Sequence, residues 1–208
     1  MDKKLERRKR MIQAAKELFA EHGFEKTTMQ KIADESGVGV ATLFRYFPKK
    51  EHLIIEVIKE VIEQQVPIFE KIIESNKTGI EKMDEVLTAY IMYINEENSI
   101  SSKLLEAFEV YIAFIPIEVG LLEEIHRAYG KISGIILKII NEGKKDGSIQ
   151  LSQTNEVIIS TIMNMFGTAV KKYSLYSLIP EDVFIAAPKK ENLIIVKDII
   201  LSYLQKGK

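Results

Sequence analysis

Apolar side chains recur every three or four residues along most of the chain, and no segment alternates as a strand would. Proline, glycine and turn residues divide this pattern into separate segments. The pattern predicts an all-α protein with helices at about residues 3–21, 27–35, 40–46, 49–75, 80–97, 100–115, 118–143, 153–173 and 189–205.

Three helices at the N-terminal end are separated by residues that stop or start a helix. Gly23 stands at the C-terminal cap position of the first helix. Thr27 and Gln30 have the spacing of a capping box, which predicts that the second helix begins at Thr27. Gly37 can adopt a left-handed conformation and predicts a tight turn before the third helix. This succession is the helix-turn-helix arrangement, whose second member enters the major groove of DNA.

The third helix lies within the stretch GVGVATLFRYFPKKEHL and carries side chains suited to DNA. Val40 and Ala41 can touch thymine methyl groups, and Arg45 can bind guanine edges or phosphate. Tyr46 and Lys50 can reach phosphate oxygens. The helix is therefore interpreted as a DNA-recognition helix.

The distribution of charge agrees with this interpretation. Residues 1–50 contain 12 Lys/Arg and 7 Asp/Glu, whereas residues 51–208 contain 17 and 23, although the formal net charge of the chain is -1. A basic segment joined to an acidic body is typical of a module that binds a polyanion. A solvated helix start at KKLERRKR explains the same excess equally well.

The stretch AAKELFAEHGFEKTTMQKIADESGVGVATLFRYFPKKEHL resembles the N-terminal domain of TetR-type, or tetracycline-repressor-like, transcriptional regulators. The likeness covers about residues 8–55 and keeps pairs of motif residues at unbroken spacing. The pairs are Leu18-Phe19, Gly23-Phe24, Thr27-Thr28, Ile32-Ala33, Gly37-Val38, Thr42-Leu43, Tyr46-Phe47 and Lys50-Glu51.

The resemblance implies which residues meet DNA. It gives phosphate contacts to Thr28, Thr42 and Lys50, and base or sugar contacts to five residues of the second and third helices. The complete predicted set is Thr28, Met29, Gly39, Val40, Ala41, Thr42, Phe44, Arg45, Tyr46 and Lys50. Gly39 and Phe44 replace residues more common in the family, a polar helix cap and a tyrosine, which weakens the assignment of individual base contacts.

The resemblance also implies two domains, a helix-turn-helix domain at residues 1–50 and a helical ligand-binding and dimerisation domain at residues 51–208. Residues 49–75 are interpreted as one connecting helix bent at Pro67. Such regulators act as homodimers on double-stranded operator DNA, and most are repressors that a small-molecule effector releases.

In the family, the last two long helices pair with their mates in a four-helix dimer interface. The corresponding helices here are the apolar segments at about residues 153–173 and 189–205. The loop at residues 177–192 between them is expected to form an arm over the pocket or over the partner subunit.

Aromatic and methionine side chains fall on the helices that line the effector cavity in such regulators, which suggests an apolar or aromatic effector. The candidates are Tyr90, Phe108, Tyr111, Phe114, His126, Tyr129, Met163 and Phe166. Ordinary core packing explains any one of them as well. A DNA-binding protein without an effector pocket therefore remains an alternative.

Other classes of function find little support in the sequence. It contains no nucleophile motif, phosphate loop or paired carboxylates at a meaningful spacing, so we expect neither an enzyme nor a bound cofactor. It has no cysteine, and its three histidines are too scattered to predict a metal site. With no membrane-spanning run or signal peptide, a cytoplasmic protein is expected.

Overall fold

The computed structural model describes residues 3–93, 96–176 and 188–206. The described residues contain helices and no strand, which confirms the all-α prediction. In chain order the helices are α1 (Lys3–Lys26), α2 (Met29–Glu35), α3 (Val40–Tyr46), α4 (Lys50–Glu63), α5 (Val66–Ile73), α6 (Gly79–Tyr93), α7 (Glu96–Phe114), α8 (Val119–Asp146), α9 (Asn155–Tyr176) and α10 (Lys190–Lys206). Most of the predicted arm, residues 177–187, lies outside the described residues.

The chain divides into two compact units, and the divisions fall before the last residue of α4, within α7 and within α8. The first unit consists of Met1–Ile62 and Lys103–Ala128, and the second consists of Glu63–Ser102 and Tyr129–Lys208. The predicted domain boundary at residue 50 stays a prediction. None of the described helices has the length and apolar character needed to cross a bilayer.

In the first unit, the ends of α1 and α2 follow the local sequence closely, with one correction. Gly23 has φ +78 and interrupts the regular backbone of α1. Thr28, not Thr27, is the N-cap of α2, and its hydroxyl accepts the Lys31 backbone N–H at 3.2 Å. The capping box predicted from Thr27 is therefore wrong.

Thr27 instead closes the end of α1. Its side chain is fully buried, and its hydroxyl lies 2.8 Å from the Gly23 carbonyl oxygen and 3.2 Å from the Leu18 carbonyl oxygen. These carbonyls belong to the last turns of the helix, where intrahelical donors run out.

The connecting segment is two helices rather than one bent helix. α4 ends at Glu63 and α5 begins at Val66, with Pro67 in its first turn. Proline has no N–H to donate to the carbonyl of Glu63, four residues earlier, and its ring clashes with that carbonyl in a continuous helix. The helix therefore stops there instead of bending.

In the second unit, α6 and α8 cross with their backbones in contact. A Cβ placed on Gly79 would lie 2.3 Å from the Gly143 Cα, so this crossing requires glycine. The Gly79 N–H donates to Asp146 Oδ2 at 2.8 Å, and the Ile80 N–H donates to Ser148 Oγ at 3.1 Å. The turn after α8 thus satisfies the first free amides of α6.

Candidate functional site

α3 buries its inner face in the core of the first unit and exposes its outer face to solvent. Leu43 and Phe47 are almost completely buried. Gly39 is the N-cap and provides no side-chain hydrogen bond, although its carbonyl accepts the amides of Thr42 at 2.8 Å and Leu43 at 3.1 Å. The backbone alone therefore starts this helix.

The outer side chains of α2 and α3 form a surface that we call the recognition face. Its exposed members are Thr28, Gly39, Ala41, Phe44 and Arg45. The Phe44 ring is 45% exposed, although exposed phenylalanine is unfavourable in a free protein. Val40, Thr42 and Tyr46 are half-buried at its border. This face can meet base edges through Arg45 and the apolar groups, and phosphates through the hydroxyls.

Two residues of the predicted DNA-binding set are engaged inside the protein. Met29 is only 9% exposed and packs into the core, so its side chain is not presented to DNA in this structure. The Lys50 ammonium donates to the carbonyls of Phe24 at 2.7 Å and Thr27 at 3.2 Å. Lys50 therefore caps the end of α1 in the free protein, and its phosphate contact stays a prediction.

Arg8, from the basic start of α1, is tied to other helices of the first unit. Its guanidinium lies 2.8 Å from Glu56 and 5.3 Å from the centre of the Phe47 ring. Burial of the Glu56 carboxyl opposes its ionisation, but Arg8 and Lys59 outweigh that effect and lower the pKa of Glu56. Part of the N-terminal basic charge is thus structural.

Contacts within the first unit join the DNA-binding helices to the parts of α7 and α8 that belong to it. The Tyr111 ring meets the edge of Phe24 with a centroid distance of 5.5 Å, and its hydroxyl donates to Glu51 at 3.4 Å. Lys59 forms an ion pair with Glu124 at 2.6 Å. α7 and α8 continue from this unit into the second, so both helices have residues in each unit.

An aromatic cluster lies within the second unit. Tyr90 stacks on Phe69 at 5.9 Å and meets the edge of Phe166 at 6.2 Å between ring centroids. Burial, followed by the neighbouring phenols of Tyr129 and Tyr93, raises the pKa of Tyr90 to about 12. The Tyr90 residue is half-buried.

The structure brings together only part of the predicted effector set. Tyr90 and Phe166 are in contact, Tyr129 influences Tyr90, and half-buried Met163 belongs to the same unit. Phe108, Tyr111, Phe114 and His126 belong instead to the first unit. Phe108 is buried there and Tyr111 packs on Phe24, whereas Phe114 is 81% exposed and His126 is also exposed. The effector contacts of all eight stay a prediction.

Two glutamines, half-buried Gln64 and buried Gln65, lie between α4 and α5 and precede Phe69 of the aromatic cluster. The Gln64 side-chain oxygen accepts from the Tyr93 hydroxyl at 2.6 Å and from Ser101 Oγ at 3.2 Å. Gln65 is 3% exposed, and neither its side-chain nitrogen nor its side-chain oxygen has a hydrogen-bond partner in the described part of the chain. A buried polar group without a partner costs about 1–3 kcal/mol.

α9 and α10 each bury one side and expose apolar residues on another. On α9, Val157 and Met165 are exposed eight residues apart, with exposed Thr161 between them. On α10, Ile195 and Ile199 are 56% and 55% exposed. Side chains four or eight residues apart share a helix face, so each helix presents an apolar stripe.

Comparison with known proteins places these features in a family. The family model described as bacterial regulatory proteins, tetR family, matches residues 11–57, which include α2, α3 and the whole recognition face. Residues 11–57 form a TetR-type DNA-binding domain. The resemblance stated from about residues 8–55 is confirmed.

Similarity to TetR-type proteins extends beyond the DNA-binding residues. The fatty acid metabolism regulator protein of Bacillus subtilis is 24% identical over 169 residues, which cover 81% of this chain and 86% of that protein. The crystal structure of FadR from Bacillus subtilis with stearoyl-CoA superposes with a TM-score of 0.65 at 20% identity, covering 96% of this chain and 98% of that one. The crystal structure of Thermus thermophilus FadR with lauroyl-CoA superposes with a TM-score of 0.62 at 18% sequence identity, covering 96% of this chain and 94% of that one.

The chain is a DNA-binding transcriptional regulator, as the sequence predicted. Two FadR structures of similar fold hold acyl-CoA ligands, which favours the ligand-responsive prediction over a ligand-independent DNA-binding protein.

Three residues near the functional surfaces were missed or misinterpreted from the sequence. Thr27 looked like a helix start, although it closes α1 from a buried position. Lys50 looked like a free cation, because the carbonyls that hold it are more than twenty residues away in the chain. Gln65 gave no signal except its place two residues before Pro67, where a helix must end.

Proposed function

We propose that this TetR-type regulator is a homodimeric repressor that an acyl-CoA releases from its operator. The observation that carries the effector class is the reach of the similarity to the fatty acid metabolism regulator protein. It covers 169 residues, whereas the DNA-binding family model covers only residues 11–57. Two FadR structures of the same fold hold stearoyl-CoA and lauroyl-CoA.

The aromatic cluster of the second unit supports an effector with a long apolar part. Phe69, Tyr90 and Phe166 pack together, and half-buried Met163 lies on the same helix as Phe166. Aromatic and methionine walls adapt to flexible apolar ligands. Tyr90, Tyr129, Met163 and Phe166 are the members of the predicted set that we retain as contacts for the acyl chain.

The apolar stripes of α9 and α10 support a homodimer through these two helices. Val157 and Met165 on α9, and Ile195 and Ile199 on α10, remain exposed in a single chain. Two copies of each stripe form a four-helix interface around a two-fold axis, as symmetric dimers require. Such a dimer places two recognition faces on successive major grooves about 34–36 Å apart.

Release from DNA follows if the effector binds more tightly to a dimer whose two recognition faces are not spaced to fit successive major grooves. α7 and α8 provide the connection, because both helices belong in part to the second unit and in part to the first. In the first unit they contact α4 through the Tyr111–Glu51 hydrogen bond and the Lys59–Glu124 ion pair. A shift of α7 or α8 therefore reaches the helix that follows the recognition face.

Fluorescence anisotropy tests the proposal directly. The purified protein is titrated into DNA from upstream of its own gene and into a scrambled duplex, at several salt concentrations. We expect a preference of about 1000-fold or more for the upstream DNA. Lauroyl-CoA and stearoyl-CoA should release the protein, and free CoA should not.

Each arm of this experiment can fail separately. Equal and steeply salt-dependent binding to both duplexes contradicts a site-specific repressor acting on that region. Specific binding that neither acyl-CoA changes contradicts the effector class while leaving the repressor intact. Binding by one subunit per site contradicts the dimer.

A further inference from the structure

The side-chain amide of Gln65 is buried without using either of its hydrogen-bonding ends. Among the residues that the structure describes, both the nitrogen and the oxygen lack a partner, so exchanging the two atoms does not satisfy either one. Buried amides are almost always hydrogen-bonded, and an unused one requires an explanation. A bound molecule that supplies the partner is such an explanation.

The neighbouring polar groups are already committed to one another. Tyr93 and Ser101 both donate to the side-chain oxygen of Gln64. Burial raises the pKa of the Tyr93 phenol, and the Ser101 and Gln65 side chains oppose that rise, so the Gln65 amide lies near this hydroxyl. Within the described residues, neither polar atom of the amide reaches hydrogen-bond geometry. The protein has thus placed one unused amide beside a satisfied polar group.

Gln65 is also placed next to the aromatic cluster. Its backbone carbonyl accepts the Phe69 N–H at 3.1 Å, so the two residues are one turn apart at the start of α5. The Phe69 ring stacks on Tyr90, which in turn meets Phe166. Gln65 therefore begins the helical turn that carries the first ring of the cluster.

We propose that the Gln65 amide binds a neutral oxygen-containing group, a carbonyl or a hydroxyl, of an otherwise apolar effector. The proposal rests on the proposed function and names the group by which the effector is oriented. The neighbouring side chains are phenols, an amide and a hydroxyl, and a charged ligand group would lose its hydration there without gaining a counter-ion. In an acyl-CoA, the group of this kind nearest the acyl chain is the thioester carbonyl.

A matched pair of ligands tests this contact. Lauroyl-CoA has the carbonyl, and S-dodecyl-CoA replaces it with a methylene at the same chain length. Isothermal titration calorimetry is carried out on the full-length wild type, on Gln65→Met, and on Gln153→Met as a control at an exposed glutamine. We expect the wild type and the control to prefer lauroyl-CoA by roughly tenfold, as one neutral hydrogen bond provides. Gln65→Met should bind both ligands equally.

The possible outcomes separate this inference from the proposed function. If the wild type binds both ligands without preference, or if Gln65→Met keeps the preference, the inference is overturned and the acyl-CoA assignment stands. If the wild type binds neither ligand, the acyl-CoA assignment fails, and 2-decanone serves as a neutral carbonyl probe without CoA. Binding of 2-decanone that is lost in Gln65→Met supports the inference, whereas no binding or unchanged binding overturns it. Gln65→Leu replaces Gln65→Met if circular dichroism shows that the latter is unfolded.

Discussion

Replacing Gln65 with methionine is expected to make the unliganded protein more stable. The side chain is 3% exposed and both of its polar atoms lack a partner among the described residues, so the native state carries the desolvation of a whole amide. Removing such a group recovers about 1–3 kcal/mol. Methionine has nearly the same volume and length, and imperfect repacking costs less than about 1.5 kcal/mol. The net expectation is a gain of about 1 kcal/mol in the free energy of unfolding.

Gln64 provides the matched control, because it is adjacent in sequence and its side-chain amide, unlike that of Gln65, is hydrogen-bonded. Its side-chain oxygen accepts from both Tyr93 and Ser101. Gln64→Met leaves two donors without their acceptor and should lower the free energy of unfolding by about 1–3 kcal/mol. The two neighbouring substitutions are therefore expected to have opposite signs.

Urea unfolding at a fixed protein concentration, followed by circular dichroism, measures both changes, since dimerisation makes stability depend on concentration. Thermal unfolding should show a rise of about 2–4 °C for each kcal/mol gained. A loss of stability in Gln65→Met similar to that in Gln64→Met would refute the reasoning, because it would mean that the Gln65 amide has a partner in the free protein.

Other substitutions test the DNA-binding and dimer surfaces. Arg45→Ala should cost about 1–3 kcal/mol in operator binding and relax base preference, while equal loss on scrambled DNA would remove Arg45 from base recognition. Lys50→Ala should destabilise the first unit by about 1–3 kcal/mol in urea unfolding, because its ammonium caps α1. Unchanged stability, together with a slope of log affinity for DNA against log salt concentration reduced by about one, would make Lys50 a phosphate contact alone. Thr27→Val should lower stability by about 1–3 kcal/mol in the same assay, and unchanged stability would show that its hydroxyl does not close α1. Ile199→Glu should give a folded monomer by light scattering, and an unchanged dimer would place the interface elsewhere.

Local rules explain why α3 and its surroundings were predictable from sequence. Gly37 needs a positive φ, and its observed value of +67 sets the turn before the recognition helix. The spacing of Leu43 and Phe47 fixes which side of α3 is buried. Both signals lie within about ten residues of the element that they determine, so a single sequence contains them.

Contacts between distant residues explain what was missed. Lys50 and the Phe24 carbonyl are 26 positions apart, and nothing in either local pattern indicates that they meet. Tyr111 resembled a residue of the effector cavity by its type and helix, but its partners Phe24 and Glu51 belong to the N-terminal part of the chain. Gln65 could be recognised only from the absence of a hydrogen-bond partner, which is a property of the folded environment.

The contact of Gly79 with Gly143 limits how the second unit can accommodate ligands of different size. The start of α6 has no space in which to slide, and the Asp146 and Ser148 side chains hold its first amides. The 15-residue helix is about 22 Å long, and Tyr90 and Tyr93 lie in its last turn. A displacement of about 1 Å at those tyrosines therefore corresponds to a tilt of only about 3° around the glycine contact. For an effector bound as proposed, we therefore expect a larger ligand to tilt α6 around this contact rather than to shift it along its axis.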